Sequence, residues 1–196
     1  MKIIFLNCWQ GRLFKGFAKF IKNHSLNTDI FCFQEVSPEL FSKISKILSI
    51  HNGQHNVGGE YYPHKVWYGQ AIFVKNDIKT SVSRKTNILQ EAKDKIGFMQ
   101  YLSLKQGNST IIVGNVPGKP HPGNKLDTPS RIIQSQKIIR LFKNKNGPKI
   151  IGGDFNLLPD TRSIKLFETV GYRNLIKEFN IKDTRGGLNY RQFAGK

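Results

Sequence analysis

Three short apolar runs, each followed by polar side chains, most constrain the fold. KIIFLN ends at Asn7, DIFCFQEV carries Glu35 near its end, and PKIIGGDFN ends with Asp154 and Asn156. Apolar, β-branched runs of this length are typical of buried β-strands. Rigid strand ends present side chains into a shared cleft. We therefore expect strands whose polar ends converge on one site.

Periodicity along the rest of the chain predicts further strands and several helices. The segments predicted as strands are 67–76, 79–86, 97–105 and 109–116, which we expect to form an antiparallel meander in the middle of the chain. Helical spacing of apolar residues is found in 14–24, 39–48, 131–144, 163–171 and 173–183. The intervening segment 51–64, rich in Gly and His, is predicted to be a polar loop.

The length of 196 residues fits one domain, residues 1–196, because neither an internal repeat nor a linker is found. Cys8 and Cys32 each lie in an apolar stretch and are predicted to be buried thiols of a reducing compartment. The sequence has no secretory signal pattern and no run of transmembrane length, so we expect a cytoplasmic protein. We expect it to be a monomer.

The formal charge of +18 favours partners that carry phosphate, including nucleic acid. Coding bias is an equal alternative, because Lys is spread along the whole chain together with abundant Ile, Asn and Phe.

The polar residues at the strand ends have the chemistry of metal-assisted phosphoester hydrolysis. A carboxylate binds a hard cation through oxygen, and a second carboxylate orients or deprotonates water. Two simpler readings stay open at this point. Glu35 is also typical of a solvated residue at a strand end. Gly-Asp-x-Asn at 153–156 is also typical of a turn capped by side-chain hydrogen bonds.

Four motifs in order give the chain a family resemblance: LNCW, DIFCFQEV, GNVPGKPHPGNKLDTPSRIIQ and IIGGDFNLLPD. Together they resemble the endonuclease/exonuclease/phosphatase superfamily, also called deoxyribonuclease-I-like, from the first strand to nearly the last residue. The DTPSR and NLLPDT stretches are similar to a bacterial subgroup. The resemblance implies an α/β (α+β) fold, a four-layer αββα sandwich of two mostly antiparallel sheets. It also implies a phosphodiesterase or phosphomonoesterase that uses Mg²⁺ or Mn²⁺.

Site roles follow from the resemblance position by position. Glu35 is implied as the metal ligand, with Asn7 beside it as a second ligand or an orienting group. Asp154 is implied to position or activate the attacking water, and Asn156 to hold Asp154 and a phosphate oxygen in place.

Arg131 in DTPSR is placed near the cleft as a contact to the substrate phosphate, with a surface position in the first turn of a helix as the alternative. His121 is a second candidate for a phosphate contact, and a bystander role in the loop is its alternative.

Two departures from the family pattern predict an impaired enzyme. Asn115, Val116, Pro117 and Gly118 stand where the family has Asn-Val-His-Gly, so a ring without a donor replaces an imidazole. The family also continues to a Ser-Asp-His motif that completes the site, whereas this sequence ends in QFAGK, so the sandwich is expected to be incomplete at its C-terminus.

Three interpretations follow from these departures. The first is a metal-dependent hydrolase of low turnover. The second is a catalytically inactive remnant that binds phosphate or nucleic acid, and the third is a shortened reading frame of an ordinary family enzyme.

Overall fold

The computed structural model describes residues 1–61, 66–89 and 97–184, which form a mixed α/β fold with two four-stranded sheets and five helices. The strands are β1 (Ile3–Asn7), β2 (Ile30–Val36), β3 (His51–Tyr61), β4 (Val66–Lys75), β5 (Arg84–Asn87), β6 (Phe98–Gln106), β7 (Ser109–Pro117) and β8 (Lys149–Asp154). The helices are α1 (Phe14–His24), α2 (Pro38–Ile47), α3 (Pro129–Lys143), α4 (Arg162–Glu168) and α5 (Leu175–Glu178).

Counted from its parallel pair, each sheet has the same order of strand directions. Sheet A has the order β1-β2-β4-β3, and sheet B has the order β5-β6-β7-β8. Each sheet contains one parallel pair, β1 with β2 and β7 with β8, and the remaining neighbours are antiparallel. Because parallel strands end at the same sheet edge, each sheet brings two strand ends together there.

Alternation along β2 divides its side chains between two apolar clusters. Phe31 and Phe33 pack with α1 and α2, whereas Ile30 and Cys32 join side chains of sheet B. A third cluster packs sheet B against α3 and α4. The cluster shared by both sheets contains the buried residues Ile30, Cys32, Ile72, Val74, Leu102, Leu104, Ile111 and Val113. Burial on both faces accounts for the near-continuous apolar sequence of β2.

Local signals set the starts of two helices. Ser37 accepts a hydrogen bond from the Leu40 backbone N–H at 3.1 Å, and Thr128 accepts one from the Arg131 N–H at 3.2 Å. A proline follows each cap, where its missing N–H costs nothing. Helix α3 therefore begins at Pro129, two residues before the predicted start.

The predicted polar loop at 51–64 is wrong for the part that the structure describes. Residues 51–61 form β3, the edge strand of sheet A, and residues 62–65 lie outside the described residues. Main-chain pairing with β4 needs no apolar pattern, and Gly53 leaves room for the Phe73 ring. The glycine and polar residues of β3 therefore gave no sequence signal for an edge strand.

The meander prediction needs a second correction. Strands β5, β6 and β7 are successive antiparallel neighbours in sheet B, but β4 belongs to sheet A. The strand predicted at 79–86 is shorter and later, at Arg84–Asn87. The predictions for both cysteines are confirmed as far as burial is concerned, because Cys8 and Cys32 are free and buried. No helix in the described parts of the chain has the length and apolar character to cross a membrane.

Candidate functional site

Asn7, the last residue of β1, joins two carboxylates from different sheets. Its side-chain Nδ2 donates hydrogen bonds to Glu35 Oε1 and to Asp154 Oδ2, each at 3.0 Å. The Asn7 Oδ1 atom accepts from the Trp9 backbone N–H at 2.8 Å, which fixes the orientation of the amide. The two carboxylate oxygens are therefore no further apart than twice the hydrogen-bond length. The predicted convergence of the strand ends is observed.

Glu35 lies at an irregularity near the end of β2. The pairing of β2 with β4 shifts between Phe33 and Val36, and Glu35 has a φ of 57°, which is uncommon for a residue with a side chain. The bulge re-aims the Glu35 side chain while its neighbours stay in the sheet. Such local strain is typical of functional sites.

The half-buried position of Glu35 changes its proton affinity. Burial raises the pKa of Glu35, the hydrogen bond from Asn7 opposes that rise, and the nearby charge of Asp154 adds to it. Arg12 and a hydrogen bond from Gln10 also lower the pKa of Glu35. The net rise in the pKa of Glu35 means that burial and the charge of Asp154 outweigh the groups that favour the carboxylate.

Asp154 is the last residue of β8, at the start of a tight turn. Gly153 has a φ of 130°, and a Cβ at this position would overlap the Val116 carbonyl, so the turn requires glycine. The Asn156 backbone N–H donates to Asp154 Oδ1 at 3.0 Å. Since Asn7 occupies Oδ2, both oxygens of Asp154 accept hydrogen bonds and the carboxylate has one fixed orientation.

The Asn156 side chain connects this turn to the loop after β7. Its Nδ2 donates to the Gly118 carbonyl at 2.9 Å, and its Oδ1 accepts a hydrogen bond from Lys125 Nζ. Any Cβ at Gly118 would overlap the Phe155 carbonyl. The loop from Gly118 to Lys125 is therefore in direct backbone contact with the carboxylate turn.

Pro117 lies beside Asp154, because the two residues are partners in the parallel pairing of β7 with β8. The position at which the family resemblance expects an imidazole is thus next to Asp154 in the sheet. His121, four residues further on, is exposed in the loop.

Arg131 is fully buried. Its guanidinium donates to backbone carbonyls of the loop before α3, and these carbonyls belong to Lys119, Pro120, Pro122 and Leu126. The structure thus does not place Arg131 among the hydrogen-bonded group of Asn7, Glu35, Asp154 and Asn156.

A buried pair of side-chain amides, those of Gln34 and Asn115, connects the two sheets at the residue before Glu35. Gln34 Nε2 donates to Asn115 Oδ1 at 2.5 Å, and Asn115 Nδ2 donates to the Phe33 carbonyl at 2.9 Å and to the Ala71 carbonyl at 3.4 Å. Asn115 belongs to β7 and its partners belong to β2 and β4. Sheet B therefore fixes the strand segment that precedes Glu35.

The donor set fits a divalent cation with few protein ligands. Glu35 and Asp154 supply hard carboxylate oxygens, and a cation beside them would reverse the rise in the pKa of Glu35. Within residues 1–61, 66–89 and 97–184, no cluster of three or more His, Cys, Asp or Glu side chains is suited to hold a metal ion. A pair of carboxylates is a donor set compatible with a hard divalent cation that keeps several waters.

Three features of the site were missed from the sequence: the Lys125 contact, the Gln34–Asn115 pair and the Gln10 hydrogen bond to Glu35. Lys125 lies within the recognised GNKLDTPSR stretch, so the motif was found but its lysine was not singled out. The amide pair joins residues 81 positions apart, for which one sequence contains no local signal.

Comparison with known proteins identifies the family. Residues 5–195 match the Endonuclease/Exonuclease/phosphatase family, and the chain belongs to it. Proteins of this family are typically metal-dependent phosphoester hydrolases. No curated protein sequence matches the chain.

Solved structures share the fold at low sequence identity. A functionally unknown protein from Enterococcus faecalis has a TM-score of 0.64 at 15% identity, covering 86% of this chain and 72% of its own. The mannosyl-6-phosphatase Bt3783 of Bacteroides thetaiotaomicron gives 0.59 at 18%, with 83% and 63% covered. TDP2 of Caenorhabditis elegans gives 0.59 at 20%, with 81% and 48% covered, so this chain spans about half the length of that protein.

Proposed function

We propose that the protein is a divalent-metal-dependent phosphoesterase that hydrolyses a phosphodiester or a phosphomonoester. One observation carries the proposal: Asn7 joins Glu35 and Asp154 through a single amide nitrogen, although the two carboxylates come from different sheets. Bringing two partly buried carboxylates together costs free energy through charge repulsion and desolvation. A bound cation would offset that cost.

Glu35 is the proposed ligand of Mg²⁺ or Mn²⁺, with Asn7 keeping its carboxylate in place. When bound, the cation would neutralise phosphate charge and polarise the scissile phosphate. Asp154 would orient the attacking water and accept its proton, because both carboxylate oxygens are already directed by donors from Asn7 and Asn156. Asn156 is a positioning residue for Asp154.

Arg131 and His121 receive smaller roles. The carbonyls bound by Arg131 all belong to the loop that carries Lys125, so we assign Arg131 to shaping this loop. His121 remains a candidate for a substrate contact from the exposed side of the loop. We also propose one domain with the four-layer order helix, sheet, sheet, helix, which the three apolar clusters support.

A metal titration tests the proposal. We expect Mn²⁺ to bind the wild-type protein and to support hydrolysis of p-nitrophenyl phosphate or its bis-ester, and we expect Glu35→Gln to lose both. The matched control is Glu39→Gln on α2, where an exposed carboxylate pairs with Lys43. Equal Mn²⁺ affinity in the wild type and Glu35→Gln would remove Glu35 from the site and refute the proposal.

The second candidate function is a phosphate or nucleic-acid binder without catalysis. Pro117 favours it, because the residue paired with Asp154 has no proton to donate and no charge. The formal charge of +18 supplies a source of affinity for polyanions. The binder would be retained on DNA at low salt, with log affinity falling linearly against log salt concentration. Retention that does not change with salt would exclude it, as would Mn²⁺-dependent turnover by the wild type.

A further inference from the structure

Lys125 has an unusual backbone conformation for a lysine. Its φ is +61°, in the left-handed region that residues with a Cβ rarely adopt. The Lys125 carbonyl accepts a hydrogen bond from the Leu158 N–H at 2.9 Å, and Asn124 Oδ1 accepts one from the Leu126 N–H at 3.1 Å. The backbone around Lys125 is thus fastened to the segment that follows β8, and it is held in a conformation that costs free energy.

This conformation brings the Lys125 ammonium group to the carboxylate turn. Lys125 Nζ donates to Asn156 Oδ1, and the backbone N–H of the same Asn156 donates to Asp154 Oδ1. Asn156 is therefore hydrogen-bonded both to the positively charged group of Lys125 and to the Asp154 carboxylate. On the neighbouring strand, Pro117 occupies the position next to Asp154 and offers no donor.

Two sets of hydrogen bonds fix the backbone of the loop that carries Lys125. The buried guanidinium of Arg131 donates to loop carbonyls before and after Lys125 in the sequence, including those of Pro122 and Leu126. Asp127, two residues after Lys125, accepts hydrogen bonds from the backbone N–H groups of Arg162 and Ser163 at 2.7 and 2.8 Å. A binding group fixed by its surroundings loses little conformational entropy when its ligand arrives.

We propose that Lys125 is a substrate-binding residue whose ammonium group contacts the phosphate of the substrate beside Asp154, at the place where Pro117 provides no donor. This assignment rests on the proposed phosphoesterase function and adds a residue to it. A charge-assisted bond to phosphate is the interaction for which an ammonium is suited. The hydrogen bond to Asn156 gives the side chain its direction toward the site.

Inorganic phosphate is the probe, with its affinity measured by calorimetry with and without Mg²⁺. Lys125→Met keeps the length of the side chain and removes the charge, and we expect it to weaken phosphate binding by about tenfold or more. Lys125→Arg should retain most of the affinity. Lys182→Met is the matched control, because Lys182 also donates to an asparagine Oδ1, that of Asn180, in an exposed segment far along the chain.

Melting temperature and Mn²⁺ affinity separate binding from a purely structural role. We expect both to stay near wild-type values in Lys125→Met, and a loss of phosphate affinity that is no larger than the loss of Mn²⁺ affinity would overturn the assignment. Lys125→Asn tolerates the left-handed conformation and replaces the methionine variant if that variant does not fold.

Failure of this assignment and failure of the proposed function give different results. If the wild type binds Mn²⁺ through Glu35 but Lys125→Met binds phosphate as tightly as the wild type, the role of Lys125 is refuted and the phosphoesterase remains. If Glu35→Gln binds Mn²⁺ as well as the wild type, the metal site is refuted, whatever Lys125→Met does. A wild type that binds no phosphate in either condition also refutes the role of Lys125.

Discussion

In sheet A the parallel pair carries Asn7 at the end of β1 and Glu35 one residue before the end of β2, whereas in sheet B the corresponding pair ends in Pro117 and Asp154. Counted from the parallel pair, both sheets have the same order of strand directions, so these four residues lie near corresponding strand ends. Sheet A contributes an amide and a carboxylate that contact each other. Sheet B contributes one carboxylate and a ring without a donor.

The difference shows where the polar groups around the sheet B carboxylate come from. Its carboxylate is oriented by the turn that contains Asn156, and the loop after β7 adds the Lys125 ammonium group. In sheet A, Asn7 on the neighbouring strand donates to Glu35 directly. Gln10 and Arg12 in the segment after β1 add a hydrogen bond and a positive charge. Equal topology thus gives a site whose two halves are built differently. The polar groups of sheet A come from β1, β2 and the segment just after β1, and those of sheet B come from β8, the turn after it and the loop after β7.

The largest expected effect tests whether the two carboxylates have different roles. We expect Asp154→Asn to lower the hydrolysis rate by roughly 10²–10⁴-fold, because the group that accepts a proton is lost, while Mn²⁺ binding falls less. Glu35→Gln should abolish Mn²⁺ binding and the rate together. Calorimetry and steady-state kinetics measure both quantities. Equal losses of Mn²⁺ affinity in the two variants would show that the carboxylates share one role.

Pro117→His tests whether sheet B lacks a functional group. An imidazole beside Asp154 would supply a donor to the phosphate, and we expect turnover to rise by about 10²-fold. The comparison variant is Pro117→Ala, which removes the ring without adding a donor. Equal rates in the histidine and alanine variants would mean that the missing imidazole does not limit the enzyme.

Asn115→Ala tests the connection between the sheets. The variant loses the hydrogen bonds to the Phe33 and Ala71 carbonyls and the one from Gln34, so we expect the free energy of unfolding to fall by roughly 2–4 kcal/mol. Urea denaturation measures this loss. Asn87→Ala at the exposed end of β5 is the control and should cost less than about 1 kcal/mol. A similar loss in both variants would show that the buried pair adds nothing special.

The smallest effect concerns acid sensitivity in sheet A. Burial lowers the pKa of His51, whose Nε2 lies 2.9 Å from the Thr28 carbonyl oxygen. The unfolded chain therefore takes up a proton near the ordinary pKa of 6.5 while the folded protein resists it. The stability linked to His51 is complete above that pH and is lost as the pH falls toward the folded pKa.

Thermal unfolding between pH 8 and pH 5 measures this loss. We expect His51→Gln to lose less stability over that range than the wild type does. Parallel curves for the two proteins would contradict the assignment of the acid sensitivity to His51.

The amino-acid sequence by itself determined the elements with strong local patterns and the identity of the metal-site candidates. Apolar runs gave β1, β2 and β8, and spacing gave α1 to α4 to within a few residues, because those signals come from a residue and its near neighbours. Of the helix predicted at 173–183, only Leu175–Glu178 is helical. Motif order then marked Asn7, Glu35, Asp154 and Asn156 as one set. The edge strand β3 was not visible, because backbone pairing holds it.

Tertiary structure decided how these residues act on one another. The orientation of Glu35 depends on a bulge and on Asn115 in the other sheet. Lys125 reaches Asn156 only because the loop after β7 lies against the turn after β8. Such contacts join positions tens of residues apart, and no local preference of the chain encodes them. Their physical origin is the packing of both sheets on one apolar cluster, which fixes the strand ends relative to each other.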